Sequence, residues 1–159
     1  ESRKPGAVMP TYAKDTTVAV ERSKGEIERT LQRFGASAFM YGWDAGRAVI
    51  GFEVSGRRYR ITLPLPAKNE FRLTATGRER TSAAAVEEAW EQACRQRWRA
   101  LALWIKAVLE AAEAGITSVD EAMQPFVVLP NGETAGRWLA PQIEAAYQTG
   151  SMPALLPGG

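Results

Sequence analysis

The 159-residue chain contains no histidine and a single cysteine, Cys94. Without an imidazole, the sequence excludes histidine-based catalytic triads, histidine-ligated metal sites and histidine acid–base chemistry. Cys94 cannot form an intrachain disulfide, and its place on an apolar helical stripe predicts a packing role rather than a nucleophile. The sequence also lacks a phosphate-binding loop of the G-x-x-x-x-G-K type and a dinucleotide fingerprint. We therefore expect no enzymatic activity, no cofactor and no metal.

The enzyme class that these absences leave open is a carboxylate-based metal nuclease that uses Asp44 and Glu53. Both carboxylates have simpler interpretations, because Asp44 suits a turn and Glu53 is the expected partner of Arg58. The sequence therefore favours a binding protein over a nuclease.

Long hydrophobic runs are also missing. No segment approaches the roughly 20 consecutive apolar residues that a membrane span needs. The first 15 residues, ESRKPGAVMPTYAKD, contain no apolar segment typical of a secretory signal. These absences predict a cytoplasmic protein without membrane contact. The length favours one domain, which we place at residues 16–150, between a flexible N-terminal tail (1–15) and an extended Pro/Gly-rich tail (151–159).

Charge is unevenly distributed along the chain, although the net charge is only +2. Residues 1–56 carry 8 basic and 7 acidic side chains, residues 57–106 carry 11 and 5, and residues 107–159 carry 1 and 6. A basic middle beside an acidic end indicates a polyanionic partner for the middle, or electrostatic docking of another protein. The alternative is a charged surface without a function.

The hydrophobic pattern predicts an α+β fold. A β-branched run, TTVAV (residues 16–20), predicts an edge strand, and the next helix is expected to begin at a capping box formed by Ser23 and Glu26. Three strands are predicted between residues 39 and 65, and the longest helix between residues 82 and 115. We expect an antiparallel sheet of three to five strands packed against this long central helix.

The C-terminal third predicts a small helical extension. A short capped helix is expected at residues 118–124, a strand and turn at residues 126–133, and a last helix at residues 134–148. The apolar side chains of the last helix are expected to pack on the domain: Trp138, Leu139, Ile143, Ala146 and Tyr147. A short additional strand is predicted at residues 71–74.

Two turns divide residues 39–65 into strands and predict their register. A three-residue loop at residues 44–46 pairs Trp43 with Arg47, and a two-residue turn at residues 55–56 fixes the second hairpin. This register places one set on the core face: Ala38, Met40, Ala48, Ile50, Phe52, Val54, Tyr59, Ile61 and Leu63. It places another set on the opposite face: Phe39, Tyr41, Trp43, Arg47, Val49, Arg58, Arg60 and Thr62.

The second set predicts a surface that binds nucleic acid. Aromatic rings can stack on bases while neighbouring arginines neutralise phosphates, and each stacked base contributes about 1–3 kcal/mol. We expect single-stranded DNA as the ligand, bound by sheet residues and by the basic loop that follows the strands: Tyr41, Trp43, Arg47, Arg58, Arg60, Arg78 and Arg80. Alternatively, the C-terminal third covers this face and the rings belong to the core. A register shift of one residue at the first turn would also move the rings to the core side.

Four segments resemble uncharacterised proteins encoded by bacteriophages and prophages: VERSKGEIERTLQRFGASAFMYGWDAG, GRRYRITLPLP, CRQRWRALALWIKAVLEA and LPNGETAGRWLAPQIEAAYQTG. The resemblance brings no established activity with it. It implies a small protein that acts on DNA or on a host protein inside the bacterial cell. The alternative function is therefore a protein-binding adaptor or inhibitor of a host protein, and we also consider homo-oligomer formation.

The order of helix, three strands and helix also resembles the double-stranded RNA-binding domain. The second helix of this chain begins TSAAAVEE, without the lysine cluster that this family places on phosphate. We therefore do not adopt that resemblance.

Overall fold

The structure is a computed structural model that describes residues 11–44 and 46–152. Its elements, in chain order, are α1 (Thr11–Arg33), β1 (Ala36–Asp44), β2 (Arg47–Val54), β3 (Arg57–Pro64), α2 (Ala83–Glu113), α3 (Val119–Met123) and α4 (Ala135–Thr149). Short 3-10 segments lie at Lys68–Arg72 and Gln124–Phe126. The predicted α+β class, with a long central helix and small C-terminal helices, is confirmed.

The three strands form one antiparallel sheet in the order β1-β2-β3. Helices α1 and α2 pack on one face of this sheet and enclose the core, which includes Ile27, Ile50 and Ile105. Eight residues that the spacing of apolar side chains assigns to one core lie in or against this cluster: Ile27, Leu31, Phe34, Ile50, Phe52, Ile61, Leu101 and Ile105. Ala38 and Met40, which the predicted register also assigns to the core face, lie on the opposite face. The opposite face, which we name the outer face, is open, since Met40 on it exposes 68% of its surface.

Helix α1 replaces the strand predicted at residues 16–20, and that prediction is wrong. The predicted capping residue Ser23 lies inside the helix and is 6% exposed. Val20, Ile27 and Leu31 continue one helical stripe that packs into the core, so tertiary packing overrides the β propensity of this run. Residues 11–15, predicted as tail, form the first turns of α1, and residues 1–10 lie outside the described part.

The second hairpin has the predicted register, whereas the first is shifted by one residue. Phe52 pairs with Tyr59 across β2 and β3, as expected. Across β1 and β2, Trp43 pairs with Ala48 rather than with Arg47, because the hairpin closes at Asp44 and Arg47. Asp44, predicted in the loop, is therefore a paired strand residue. From Ala38 to Trp43, the β1 side chains therefore lie on the faces opposite to the predicted ones.

The short strands predicted at residues 71–74 and 126–133 are reduced to isolated bridges. Leu73 pairs with Glu79 after a 3-10 turn, and Val127 pairs with Tyr59 at the edge of β3. The backbone N–H of Val128 donates to the Arg58 carbonyl at 2.8 Å. A tight turn then follows, in which Gly132 has φ +84°, and the pairing does not extend.

Helices α2, α3 and α4 follow their predicted bounds closely. The predicted packing face of α4 is wrong in part: Leu139 and Ala146 are half-buried, but Trp138 is 41% exposed, Ile143 52% and Tyr147 86%. The helix docks at its start, where a Cβ on Gly136 would lie 3.0 Å from the Pro125 carbonyl oxygen. Helical periodicity identifies an apolar face but does not show whether the fold supplies a partner for it.

None of the helices within residues 11–44 and 46–152 combines the length and the apolar character required to cross a membrane.

Candidate nucleic-acid interface

The register of β1 separates the aromatic rings from the arginines that the sequence places beside them. Tyr41 and Trp43 lie on the inner side of the sheet, together with α1 and α2. Arg47, Arg58 and Arg60 lie on the outer face. The prediction that rings and arginines share one face is therefore wrong, while the face predicted for the arginines is correct.

Tyr41 is held between the two long helices. Its hydroxyl donates to the Lys24 carbonyl at 2.7 Å. Its ring meets Phe39 edge-on, with centroids 4.6 Å apart, and meets Trp98 in the same way at 6.2 Å. Burial raises the pKa of the Tyr41 hydroxyl above its usual range, and the nearby Glu28 and Glu21 carboxylates add to this rise. Tyr41 is therefore a packing residue and is not available to a ligand on the outer face.

This raised pKa predicts a loss of stability in alkaline solution. Well below pH 10.0, the usual tyrosine pKa, the Tyr41 hydroxyl is neutral in both states and its contribution is fully present. Above that pH the unfolded chain ionises first, so stability falls as the pH rises towards the folded-state pKa. We expect Tyr41→Phe to lose less stability than the wild type between about pH 9.5 and pH 11, measured by urea unfolding.

Two other expectations accompany this measurement. At pH 7, Tyr41→Phe should cost about 0.5–1.5 kcal/mol, because one hydrogen bond is lost. The pKa of Tyr59 is also raised, by burial and by Asp120. Its effect on the pH dependence of stability is the same in the wild type and in Tyr41→Phe. Identical pH profiles for wild type and Tyr41→Phe would contradict the role given to the Tyr41 hydroxyl.

The three arginines on the outer face of the sheet differ in their contacts. Arg47 Nε donates to the Asp44 carboxylate at 2.9 Å, and Arg60 Nη2 donates to the Gly132 carbonyl at 2.7 Å. The expected ion pair between Arg58 and Glu53 does not form, although the two residues are cross-strand neighbours. Glu53 instead accepts a long hydrogen bond from Ser37, at 3.5 Å. The Arg58 guanidinium is left exposed to solvent.

A polar groove of about 640 Å³ lies where the start of α4 approaches the outer face. Arg47 and Arg60 line it from the sheet, and Arg137 lines it from the first turn of α4. That turn carries no acidic side chain, so the positive end of the helix dipole adds to the guanidinium charges. We name this feature the arginine groove; it has the donors and the charge that suit phosphate.

A second depression, of about 370 Å³, lies beside the arginine groove and has a more apolar lining. Met40 and Val128 form part of its wall, and Gly51 contributes only backbone atoms. The two depressions share Val49 and Arg60. Together they form one continuous feature across the outer face, which we name the outer groove.

Arg78 and Arg80 do not line the outer groove. Arg80 Nη1 donates to the Leu73 carbonyl at 2.7 Å, and Arg78 lies in the exposed turn between Leu73 and Glu79. This segment follows the 3-10 turn that packs against α2. These two residues thus lie apart from the three sheet arginines with which the sequence groups them.

A competing basic surface lies on the helical side of the molecule. Arg22, Arg95 and Arg99 line a groove of about 540 Å³ between α1 and α2. Arg99 Nη1 is bonded to the Glu26 carboxylate at 3.2 Å, which neutralises part of its charge. This surface provides the natural control for experiments on the outer groove.

The sequence pattern does not identify Arg137, Met40 or Gly51 as residues of the groove. Arg137 is the single basic residue of the acidic segment 107–159, and its position in the first turn of a predicted helix is a usable signal. A glycine inside a strand, such as Gly51, often marks a close approach by another group. Met40 could not be found, because its face depended on the length of the first hairpin loop.

Two further findings bear on function. No group of three or more histidine, cysteine, aspartate or glutamate side chains within the described residues could hold a metal ion. Comparisons of the chain with protein families, with curated proteins and with solved structures give no match. The functional inference therefore depends on the geometry of the outer groove.

Proposed function

We propose that the protein binds single-stranded DNA along the outer groove and catalyses no reaction. The observation that carries the proposal is the convergence of Arg47, Arg60 and Arg137 on one open groove. Among residues 11–44 and 46–152, Asp44 is the one carboxylate that pairs with any of these three guanidinium groups. Such a site has excess positive charge in a position that an extended polyanion can reach.

The shape of the outer groove favours a single strand over a duplex. Phosphates fit the arginine groove, while the depression beside Met40 and Gly51 offers apolar surface to an unpaired base. Arginine guanidinium planes can also stack on bases. A duplex keeps its base faces stacked inside the helix and would use only the phosphate-binding part of the groove.

The position of Tyr41 and Trp43 on the other side of the sheet changes the expected energetics. Without aromatic stacking on the outer face, most of the affinity comes from phosphate neutralisation and counterion release. The affinity should therefore fall steeply with salt concentration.

The test is a fluorescence-polarisation titration of a labelled oligo-dT of about 15 nucleotides at several salt concentrations. Each phosphate contact on a single strand contributes about 0.7 to the slope of log affinity against log salt. We expect Arg58→Ala and Arg60→Ala each to flatten that slope by about 0.7. Both side chains are on the outer face, and neither pairs with a carboxylate of the described residues.

Arg22→Ala is the matched control, because Arg22 lies on the helical side of the molecule. It should leave the slope unchanged. A flattened slope for Arg22→Ala with an unchanged slope for Arg60→Ala would assign binding to the groove between α1 and α2 and refute the proposal.

The second candidate function is a protein-binding adaptor or inhibitor. The exposed Trp138, Ile143 and Tyr147 on α4 favour it, since large apolar side chains left in solvent are typical of protein contact sites. An absence of oligonucleotide binding at low salt would favour this candidate. The phage origin, the host partner and the cytoplasmic location stay predictions.

A further inference from the structure

A further cavity lies on the inner side of the sheet, lined by residues of α1, α2 and the last part of β1. Its volume is about 410 Å³, within the range of small-molecule sites. Four aromatic residues line it: Tyr41, Trp43, Trp90 and Trp98. Ala48 and Cys94, both buried, lie at its base. We name it the aromatic cavity.

The walls of the aromatic cavity are held in place by the fold. Trp98 is 4% exposed and meets Tyr41 edge-on. The indole N–H of Trp90 donates to the Pro66 carbonyl at 2.8 Å. Trp43, in contrast, exposes 83% of its surface at the rim. A large indole left in water beside three other aromatic rings offers a stacking surface that the protein itself does not use.

Charges at the cavity decide which ligand fits. The Lys24 ammonium lies 5.3 Å from the Trp98 ring centroid and 5.7 Å from that of Tyr41, and it is paired with the Glu21 carboxylate at 2.9 Å. The cation–π position on these rings is therefore already filled by Lys24. Glu91 also lines the cavity, so the two carboxylates at the cavity disfavour an anionic ligand. A neutral flat ring meets no such repulsion.

We infer that the aromatic cavity binds a neutral planar heteroaromatic ring of nucleobase size, stacked on Trp43. Lys24 and Glu21 at the cavity can donate to and accept from the polar edge of such a ring. The ring can belong to a free nucleoside or to an unstacked base of a nucleic-acid strand. The inference does not depend on the outer groove, because the two sites lie on opposite faces of the sheet.

The test uses adenosine, which carries a ring and no phosphate, as the probe in an NMR titration. The chain has five tryptophans, each of which gives one indole N–H signal that single Trp→Phe variants can assign. We expect the signals of Trp43, Trp90 and Trp98 to shift. Trp104 and Trp138 lie outside the cavity although they are 38% and 41% exposed, so their signals should stay in place.

Trp43→Ala should weaken adenosine binding about 5- to 150-fold, the range expected for the loss of one stacking contact. Trp138→Ala is the matched control and should leave the affinity unchanged. Because Trp43 is largely exposed, its replacement should not unfold the domain, and the wild-type titration is decisive in any case.

An oligo-dT titration followed by the same signals separates the two sources of the ring. Shifts with adenosine support a free nucleoside, and shifts with the oligonucleotide alone support a base within a strand. Unchanged signals with both probes, or equal shifts of all exposed tryptophans, would overturn the inference. Failure of the outer groove would leave the adenosine result unaffected, since adenosine has no phosphate for the arginines.

Discussion

Phe52→Ala is expected to lower the free energy of unfolding by about 3–5 kcal/mol, the usual cost of removing a buried phenyl ring from a packed core. Phe52 is 4% exposed, and its ring stacks on that of Tyr59 with centroids 5.1 Å apart and an angle of 8° between the planes. Both rings belong to the core between the sheet and the helices, so truncation of Phe52 leaves a cavity that the surrounding structure fills only in part. Urea unfolding measures the change directly.

Met40→Ala is the matched control for this variant. Met40 lies on the outer face and is 68% exposed, so its truncation should cost less than about 1 kcal/mol. If β1 were in the register that places Met40 in the core, the same change would cost about 2–5 kcal/mol. The pair of variants therefore tests the register of β1. A large loss for Met40→Ala with a small one for Phe52→Ala would contradict the structure.

Reversing two charges in the arginine groove should have the largest effect on binding. The double variant Arg60→Glu/Arg137→Glu removes two of the proposed phosphate contacts and places two carboxylates in the groove. We expect the affinity for oligo-dT to fall by at least about 100-fold at moderate salt, since opposing like charges cost several kcal/mol. Fluorescence polarisation measures the loss, and circular dichroism checks that the fold is retained.

The control for charge reversal lies on α1. Arg22 and Arg29 are exposed and are not ion-paired with any described residue. The variant Arg22→Glu/Arg29→Glu changes the net charge by the same amount as the groove variant. Only a small loss is expected, from the weaker overall field of the protein. Equal losses for the two variants would show that net charge, rather than the arginine groove, governs binding.

Most helices and strands were predictable because turns and helix caps are determined by a few neighbouring residues. Ser55 and Gly56 both have positive φ, at 51° and 75°, as a two-residue hairpin turn requires, and they set the register of β2 and β3. Ser82 caps α2 by accepting from the Ala85 N–H, and Gly150 ends α4 at φ +67°. This turn and these helix ends can be predicted without information from the rest of the chain.

The first hairpin shows why local signals alone are insufficient. The residues between Trp43 and Arg47 suit a loop of either two or three residues, and one residue of difference reverses every side chain of β1. The position of Tyr41 distinguishes the two loop lengths. Its side chain packs between the helices, where its hydroxyl donates to the Lys24 carbonyl. That contact joins residues 17 positions apart and cannot be read from the alternation of the strand.

The candidate site was predictable in part for the same reason. Arg58 and Arg60 are on the predicted face because the second hairpin fixes them. Arg137 lines the same groove as Arg60 because the chain after α2 brings the start of α4 close to the sheet. No spacing rule relates two residues so far apart in the sequence.

The most direct test of the proposed function is a backbone amide NMR titration with oligo-dT at low salt. We expect shifts at Val49, Gly51 and Arg60 on the sheet and in the first turn of α4, while the amide of Leu103, in the groove between α1 and α2, stays in place. Shifts confined to the groove between α1 and α2, or no shifts at all at low salt, would contradict it.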